Sequence, residues 1–206
     1  MPRDPQISAI LLAAGLSRRL GRNKLLLPAG GMPVVRRAAL ALADSRAAEV
    51  IAVTGHDALA VTAALEGLRL RIVHNPDYAQ GQSTSLRAGL AQASPDAHGL
   101  LFALGDQPLL TAGWVDRLID AFASAPTGTL AAALYHEGRR GNPVLLSASL
   151  RDEIAGVQGD EGARHILRRL EREERVAAVS VEEEDLFLDL DTEADHMRLR
   201  AKFEAV

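Results

Sequence analysis

Cysteine is absent from the 206 residues, which excludes disulfides, thiolate metal sites and a cysteine nucleophile together and fits a reducing compartment, so the cytoplasm is the expected location. Aromatic side chains are few, at 3%, but with 48% hydrophobic and 24% charged residues the composition is that of an ordinary globular domain rather than of a disordered, collagenous or membrane protein. No run approaches the ~20 apolar residues of a membrane span. The early apolar stretch from Ile7 to Gly15 is followed, not preceded, by Arg18 and Arg19, the reverse of a secretory signal. An excess of positive charge is also missing: 23 basic against 27 acidic side chains leave a net charge of −4, without the broad positive field that duplex nucleic acid demands. The chain contains no GxGxxG, no Walker loop, no HExxH among its six histidines and no GxSxG elbow. A chain of this length buries roughly 70% of its unfolded surface without staples, and one monomeric domain is expected.

Along the chain, short apolar runs alternate with helical patterns. Strands are predicted at Ile7 to Ala13, Glu49 to Thr54, Leu68 to His74 and Leu100 to Leu104. Helices are predicted from Pro33, suited to a first helical position, over Ala58 to Leu65 with Asp57 as cap, over Ser83 to Ala93, and over Ala112 to Ser124 with Thr111 as cap. Trp114 and Phe122 share one face of the last helix and read as core. Further strands are expected at Leu130 to Tyr135, Val144 to Leu146, Val176 to Val181 and Leu186 to Leu188, with helices near Asp160 to Glu173 and from Thr192. Such alternation implies an α/β fold: a Rossmann-like three-layer α/β/α sandwich around a mostly parallel sheet. No linker or fixed-period repeat separates the halves, so the less regular second half reads as an elaboration of the same sheet. The acidic run Glu182 to Asp185 reads as a solvated turn.

In an open parallel sheet, ligands lie outside the carboxyl ends of the strands, so the polar residues that follow each strand are the candidates. Between Ala14 and Lys24, glycines Gly15 and Gly21 sit among Arg18, Arg19, Arg22 and Lys24. Free backbone amides and cations at a strand end suit a polyanion such as a nucleoside triphosphate, and the other reading is a surface loop with solvated arginines. Asp106 follows an apolar strand, where a carboxylate needs a cation or a helix to cap. With Asp189 or Asp191 it could hold magnesium, which keeps waters and bridges substrate phosphates; otherwise Asp106 is a turn residue and Asp191 an Asx turn before Thr192. Gly81-Gln82-Ser83-Thr84-Ser85 crowds a glycine and three hydroxyls at a helix start, a place for an anion or a ribose and base edge.

At these residues the sequence resembles the MobA-like nucleotidyltransferase superfamily, and within it the molybdenum cofactor cytidylyltransferase branch. The signature loop apolar-Ala-Ala-Gly-x-Ser-x-Arg-Met-Gly-x-x-Lys is met by Leu12-Ala13-Ala14-Gly15-Leu16-Ser17-Arg18-Arg19-Leu20-Gly21-Arg22-Asn23-Lys24, with Leu20 in place of methionine. Gln80 to Leu86, Gly105-Asp106-Gln107-Pro108, Arg140-Gly141-Asn142-Pro143-Val144 (Asn142 in place of a common histidine), Gly159 to Arg164 and Asp189-Leu190-Asp191-Thr192 are similar to its other motifs. The Ala13-Ala14-Gly15 triplet resembles the cytidylyl branch, since guanylyl-transferring relatives carry Leu-Ala-Gly-Gly there. The resemblance implies transfer of CMP from CTP to the terminal phosphate of molybdopterin, with a molybdoenzyme or its maturation chaperone as a further partner. It implies nucleotide binding by Leu12, Ala13, Ala14, Gly15, Ser17, Arg19, Lys24, Gly81, Ser83 and Ser85, with Lys24 and Arg19 holding the triphosphate for catalysis. Magnesium, or manganese, would sit on Asp106 and Asp191, with Asp189 on the same side of the strand to share it or orient a water. Arg140, Asn142, Asp160 and Arg164 would meet the acceptor. The nucleotide half is expected at about residues 1–110 and the acceptor half at 111–206. A second reading is a nicotinamide-dependent oxidoreductase of the same fold, disfavoured because Thr54-Gly55-His56 ends the second strand without the carboxylate that an adenine ribose takes.

Overall fold

The computed structural model of the chain describes residues 5–17, 20–160 and 162–204. The first apolar run is too short for a stable helix and too apolar for a surface strand. It forms β1 (Ile7–Ala13), buried along almost its whole length, and the rest of the molecule is laid down on either side of it. In chain order follow the hairpin β2 (Pro28–Ala29) and β3 (Met32–Pro33), α1 (Val34–Ala43), β4 (Glu49–Thr54), α2 (Ala58–Ala64), β5 (Arg71–His74), α3 (Gln82–Gln92), β6 (Gly99–Leu104), α4 (Ala112–Ser124), β7 (Ala131–His136), β8 (Arg139–Ser147), α5 (Arg151–Ala155), α6 (Arg164–Arg172), β9 (Val176–Ser180) and α7 (Glu193–Glu204).

Seven strands make one sheet in the order β5-β4-β1-β6-β8-β7-β9. All run parallel except β8, which is antiparallel to both β6 and β7. Ile10 of β1 stands beside Ile51 of β4 and Phe102 of β6, and strands this apolar need cover on both faces. α1, α2 and α4 bury Val35, Leu42, Val61, Leu118 and Ile119 against one face. α3, α5 and α6 bury Leu86, Leu90, Ile154, Ile166 and Leu170 against the other. Trp114 and Phe122 pack against the first of these layers, as their spacing predicts. The expected three-layer α/β/α architecture is therefore the observed one. A small third cluster sets Leu199 of α7 and Leu190 against Leu27 and Ala29 at the β2–β3 hairpin, which brings the end of the chain back over the loop that follows β1. Among the described residues no helix is long and apolar enough to cross a membrane.

Several local expectations are corrected. Leu186 to Leu188 is not a strand: Glu184–Phe187 form a 3-10 turn that sinks Leu186 and Phe187 into the core, and three apolar residues carry too little period to distinguish the two. The strand expected from Leu68 starts only at Arg71, because Leu68 and Leu70 turn inwards against the core first. Pro33 precedes α1 in extended backbone, paired with Pro28, instead of opening the helix. Thr111 and Asp57 stand at the caps of α4 and α2 but make no side-chain cap bond. Asp57 has φ 51° and its carboxylate is engaged by Asn23. β8 begins at Arg139 and not at Val144, so the Arg140 to Val144 motif lies within the strand. The acidic run does expose Glu182, Glu183 and Glu184, whereas Asp185 is held by Arg198 and Lys202 of α7.

Candidate active site

β1 and β6 are neighbours, and the chain leaves their carboxyl ends in opposite directions, towards β4 and towards β7. A crevice opens where such connections diverge. In the loop after β1, Ser17 takes φ 50° and its Oγ accepts the Lys24 backbone N–H at 3.1 Å. Asn23 then caps a 3-10 turn (Lys24–Leu26) by accepting from the Leu25 N–H at 3.1 Å, while its Nδ2 donates to Asp57 Oδ2 at 3.2 Å. Leu25 is buried in the core beneath. Lys24 is thus fixed at its backbone, its N–H on Ser17 and its carbonyl accepting the Leu27 N–H, and its side chain reaches across the crevice.

There Nζ meets Asp106 Oδ2 and, at 2.7 Å, Asp191 Oδ1. Asp106 stands two residues past β6, and its carbonyl accepts the Leu190 N–H at 3.2 Å, which docks the Asp189–Asp191 segment beside it. Asp191 is not needed as a turn residue. Asp195 Oδ2 accepts from the Asp191 and Thr192 N–H groups and from Thr192 Oγ1, while Thr192 Oγ1 accepts the Asp195 N–H, a reciprocal arrangement of the capping-box kind. Lys24 and Asp106 keep 15% of their side-chain surface exposed. Burial alone would lower the Lys24 ammonium, but Asp106 first and Asp191 next outweigh it and hold it above its ordinary 10.5.

Asp189 lies near enough to Asp106, Lys24 and Asp191 to feel the charge of each. Its Oδ1 accepts from Gln107 Nε2 at 2.7 Å. Part of its surface opens to solvent, but the carboxyl is packed closely enough that desolvation, followed by the negative Asp106, pushes it above its usual range. Among the described residues no three carboxylates or imidazoles gather into a metal-holding group. Gln107 is a residue that sequence reasoning quoted in a motif without giving it a role: it is 2% exposed, and its Oε1 is buried without a hydrogen-bond partner. Its place three residues after a strand was the available signal.

A cavity of about 610 Å³ runs from this charged end to the start of α3. Leu12, Ala14, Gly15, Ser17, Lys24, Tyr78, Gly81, Ser85, Asp106, Asp160 and Asp191 are on its wall. The Ala13 and Ser83 side chains are not: both are buried, Ala13 in the core of the sheet. Ser83 instead donates its backbone N–H to the Gly159 carbonyl at 3.0 Å. Thr84 and Ser85 both accept from Asn75 Nδ2, at 2.8 and 3.0 Å, so two of the three crowded hydroxyls brace the turn from inside. Asp160, expected at the acceptor, lines this larger cavity and accepts the Gln82 N–H at 3.1 Å. Arg19 lies outside the described residues.

Arg140, Asn142 and Arg164 come together with Gln107 and Asp189 in a hollow of about 140 Å³, linked to the larger cavity by a small space that Leu12 and Gln82 line on one side and Asn142 and Arg164 on the other. Arg140 is aimed there by Glu171 of α6, which also accepts from Tyr135 Oη at 2.6 Å. Burial and then Glu171 push the Tyr135 hydroxyl up to about 12, so it stays a donor. The cleft therefore joins a cationic and acidic centre, a glycine-lined trough and a basic hollow, with side chains from both halves of the chain.

The sequence matches the description of the MobA-like NTP transferase domain over residues 9–176. The chain belongs to that family. As a MobA-like NTP transferase domain it is an enzyme of the nucleotidyltransferase type. It is 39% identical to the nicotine blue oxidoreductase of Paenarthrobacter nicotinovorans, over 80% of this chain and 83% of that protein. It is 32% identical to the purine catabolism protein PucB of Bacillus subtilis, over 81% and 82%, and 28% identical to the molybdenum cofactor cytidylyltransferase of Escherichia coli, over 96% and 97%. Among solved structures, a nucleotidyl transferase from Methanothermobacter superposes with a TM-score of 0.83 at 26% identity, covering 97% of this chain and 98% of that one. A Mycobacterium tuberculosis protein solved as a complex with manganese superposes with a TM-score of 0.75 at 28% identity, covering 95% and 98%.

Proposed function

We propose that the MobA-like domain transfers CMP from CTP to the terminal phosphate of molybdopterin or the molybdenum cofactor and releases pyrophosphate. The observation that carries this reading is the convergence of Lys24, Asp106 and Asp191 at one end of a trough whose other end is the Gly81 turn. The trough takes the nucleotide, with the Gly15 backbone and the Lys24 ammonium against its phosphates. The basic hollow of Arg140 and Arg164 takes the acceptor phosphate beside it, with Asn142 at the rim. An acceptor phosphate oxygen attacks the α-phosphorus in line, a new P–O–P link forms, the α–β bridging P–O bond breaks, and the electron pair leaves with pyrophosphate. A phosphate nucleophile is already ionised near neutral pH, so no general base is required and catalysis is alignment and charge neutralisation.

Two carboxylates that already share one cation are a fitting seat for a hard divalent ion. Asp106 and Asp191 would hold magnesium or manganese, which supplies neutralisation of the phosphate charge; Asp189, engaged by Gln107, is left to orient rather than to ligate. The product would pass to a molybdoenzyme or its maturation chaperone. Mixing the protein with CTP, magnesium and molybdopterin should release one pyrophosphate per product, and GTP or ATP should do so far more slowly. No pyrophosphate from any nucleotide would refute the reading.

The relative named as a nicotine blue oxidoreductase favours a second reading, in which a nicotinamide cofactor occupies the trough. Against it, Asp57, the first carboxylate after β4, is turned to Asn23 and is not on the cavity wall. Oxidation of NADPH by the protein with a reducible pigment, and no pyrophosphate with CTP, would select this alternative.

A further inference from the structure

We propose that the Lys24 ammonium is the built-in occupant of the divalent-cation position, closing the two-carboxylate seat until a nucleoside triphosphate draws it away. The inference rests on the nucleotidyl-transfer reading only for the identity of the ligand that releases Lys24.

The ammonium contacts Asp106 Oδ2 and lies 2.7 Å from Asp191 Oδ1, so one cation is held by the two carboxylates that would hold a metal. A divalent ion and an ammonium cannot share that space, since both need the same lone pairs and repel each other at contact distance. Nor does the protein offer a metal much in exchange. Among the described residues there is no group of three metal-holding side chains, and magnesium bound through two carboxylates relies on phosphates and retained water for the rest of its shell. Metal alone is therefore a poor competitor for carboxylates that are already neutralised.

The switch needs little motion. The Lys24 backbone is pinned by Ser17 Oγ and by the turn that Asn23 caps, and its neighbour Leu25 is buried. Only the four-carbon side chain has to swing, a rotamer change in an already flexible stem. A triphosphate entering the trough offers the ammonium several oxygens and offers the metal its missing ligands in the same event. Metal and nucleotide then bind with positive coupling, and an empty cleft carries no metal to act on stray phosphate.

The test uses Mn2+ alone as the probe, on the whole chain without nucleotide, with free Mn2+ read by its paramagnetic resonance. Wild-type protein should bind weakly. Lys24→Met should bind at least tenfold more tightly, Lys24→Arg should stay weak, and adding Asp106→Asn to Lys24→Met should remove the gain. Equal affinity in wild type and Lys24→Met overturns the proposal. Thermal melts of the wild type decide the matter if Lys24→Met does not fold: millimolar Mn2+ alone should leave Tm where EDTA leaves it, and a rise would mean that metal is held with Lys24 in place. Because neither readout requires turnover, absence of pyrophosphate release would sink the proposed reaction and leave this result standing, and the reverse also holds.

Discussion

Replacing Gly81 with alanine probes the seam on which the trough is built. Gly81 holds φ 114° and ψ 165°, a region closed to residues with a Cβ, and holding alanine there costs about 1–3 kcal/mol. A Cβ would also stand 2.9 Å from both the carbonyl carbon and oxygen of Gly159 and 2.8 Å from Asp160 Oδ1. Backbone cannot rotate out of the way as a side-chain tip can, so overpacking adds about 1–3 kcal/mol. The sum, about 2–6 kcal/mol, is a large share of the ~5–15 kcal/mol that holds an ordinary domain folded. Gly128 supplies the control: it has φ 99° but nothing within 4 Å of an added Cβ, so Gly128→Ala carries the strain without the collision. Urea unfolding of the three proteins, followed by circular dichroism, should rank them wild type, Gly128→Ala, Gly81→Ala. The last two should differ by about 1–3 kcal/mol, and calorimetry should find CTP bound more weakly by Gly81→Ala alone. Equal losses in the two variants would show that the Gly159–Asp160 segment yields freely and that the seam is not rigid.

At ~4 Å and an effective dielectric of about 20, one cation is worth roughly 4 kcal/mol per unit charge, so Lys24→Ala should lower turnover at saturating CTP on the order of a hundredfold or more; unchanged turnover removes it from the reaction. Arg164→Ala should raise the KM for the acceptor with little effect on that for CTP, and the opposite pattern would move the acceptor out of the basic hollow. For Glu171, burial would raise the carboxyl, but the hydrogen bonds from Tyr135 and Arg140 outweigh it and hold it below its ordinary 4.5. A depressed carboxyl contributes stability that is present above about pH 4.5 and is lost as the pH falls through the folded-state value. Glu171→Gln should therefore be less stable than wild type at pH 7, with the difference shrinking in chemical-denaturation series carried down towards pH 3. A constant difference across that range would contradict the pairing.

What the amino-acid order determined by itself was the alternation of apolar strands with helices and the places where polar residues follow those strands. Side-chain period and strand length are local properties, so β1, β4 and β6 and the helices on both faces were readable, as were Lys24 and Asp106 as charged groups at strand ends. Short segments were not. The 3-10 turn at Glu184–Phe187 and the five-residue α5 carry too little period to identify, and the Asp57 cap failed because its carboxylate is claimed by the distant Asn23. Only the folded molecule decided that Lys24 lies between Asp106 and Asp191, which are 82 and 167 residues away along the chain. It also decided that Asp189 turns to Gln107 and that Asp160 faces the larger cavity. Those pairings depend on strand order and on where α7 returns the chain, which are long-range outcomes of burying two apolar faces at once.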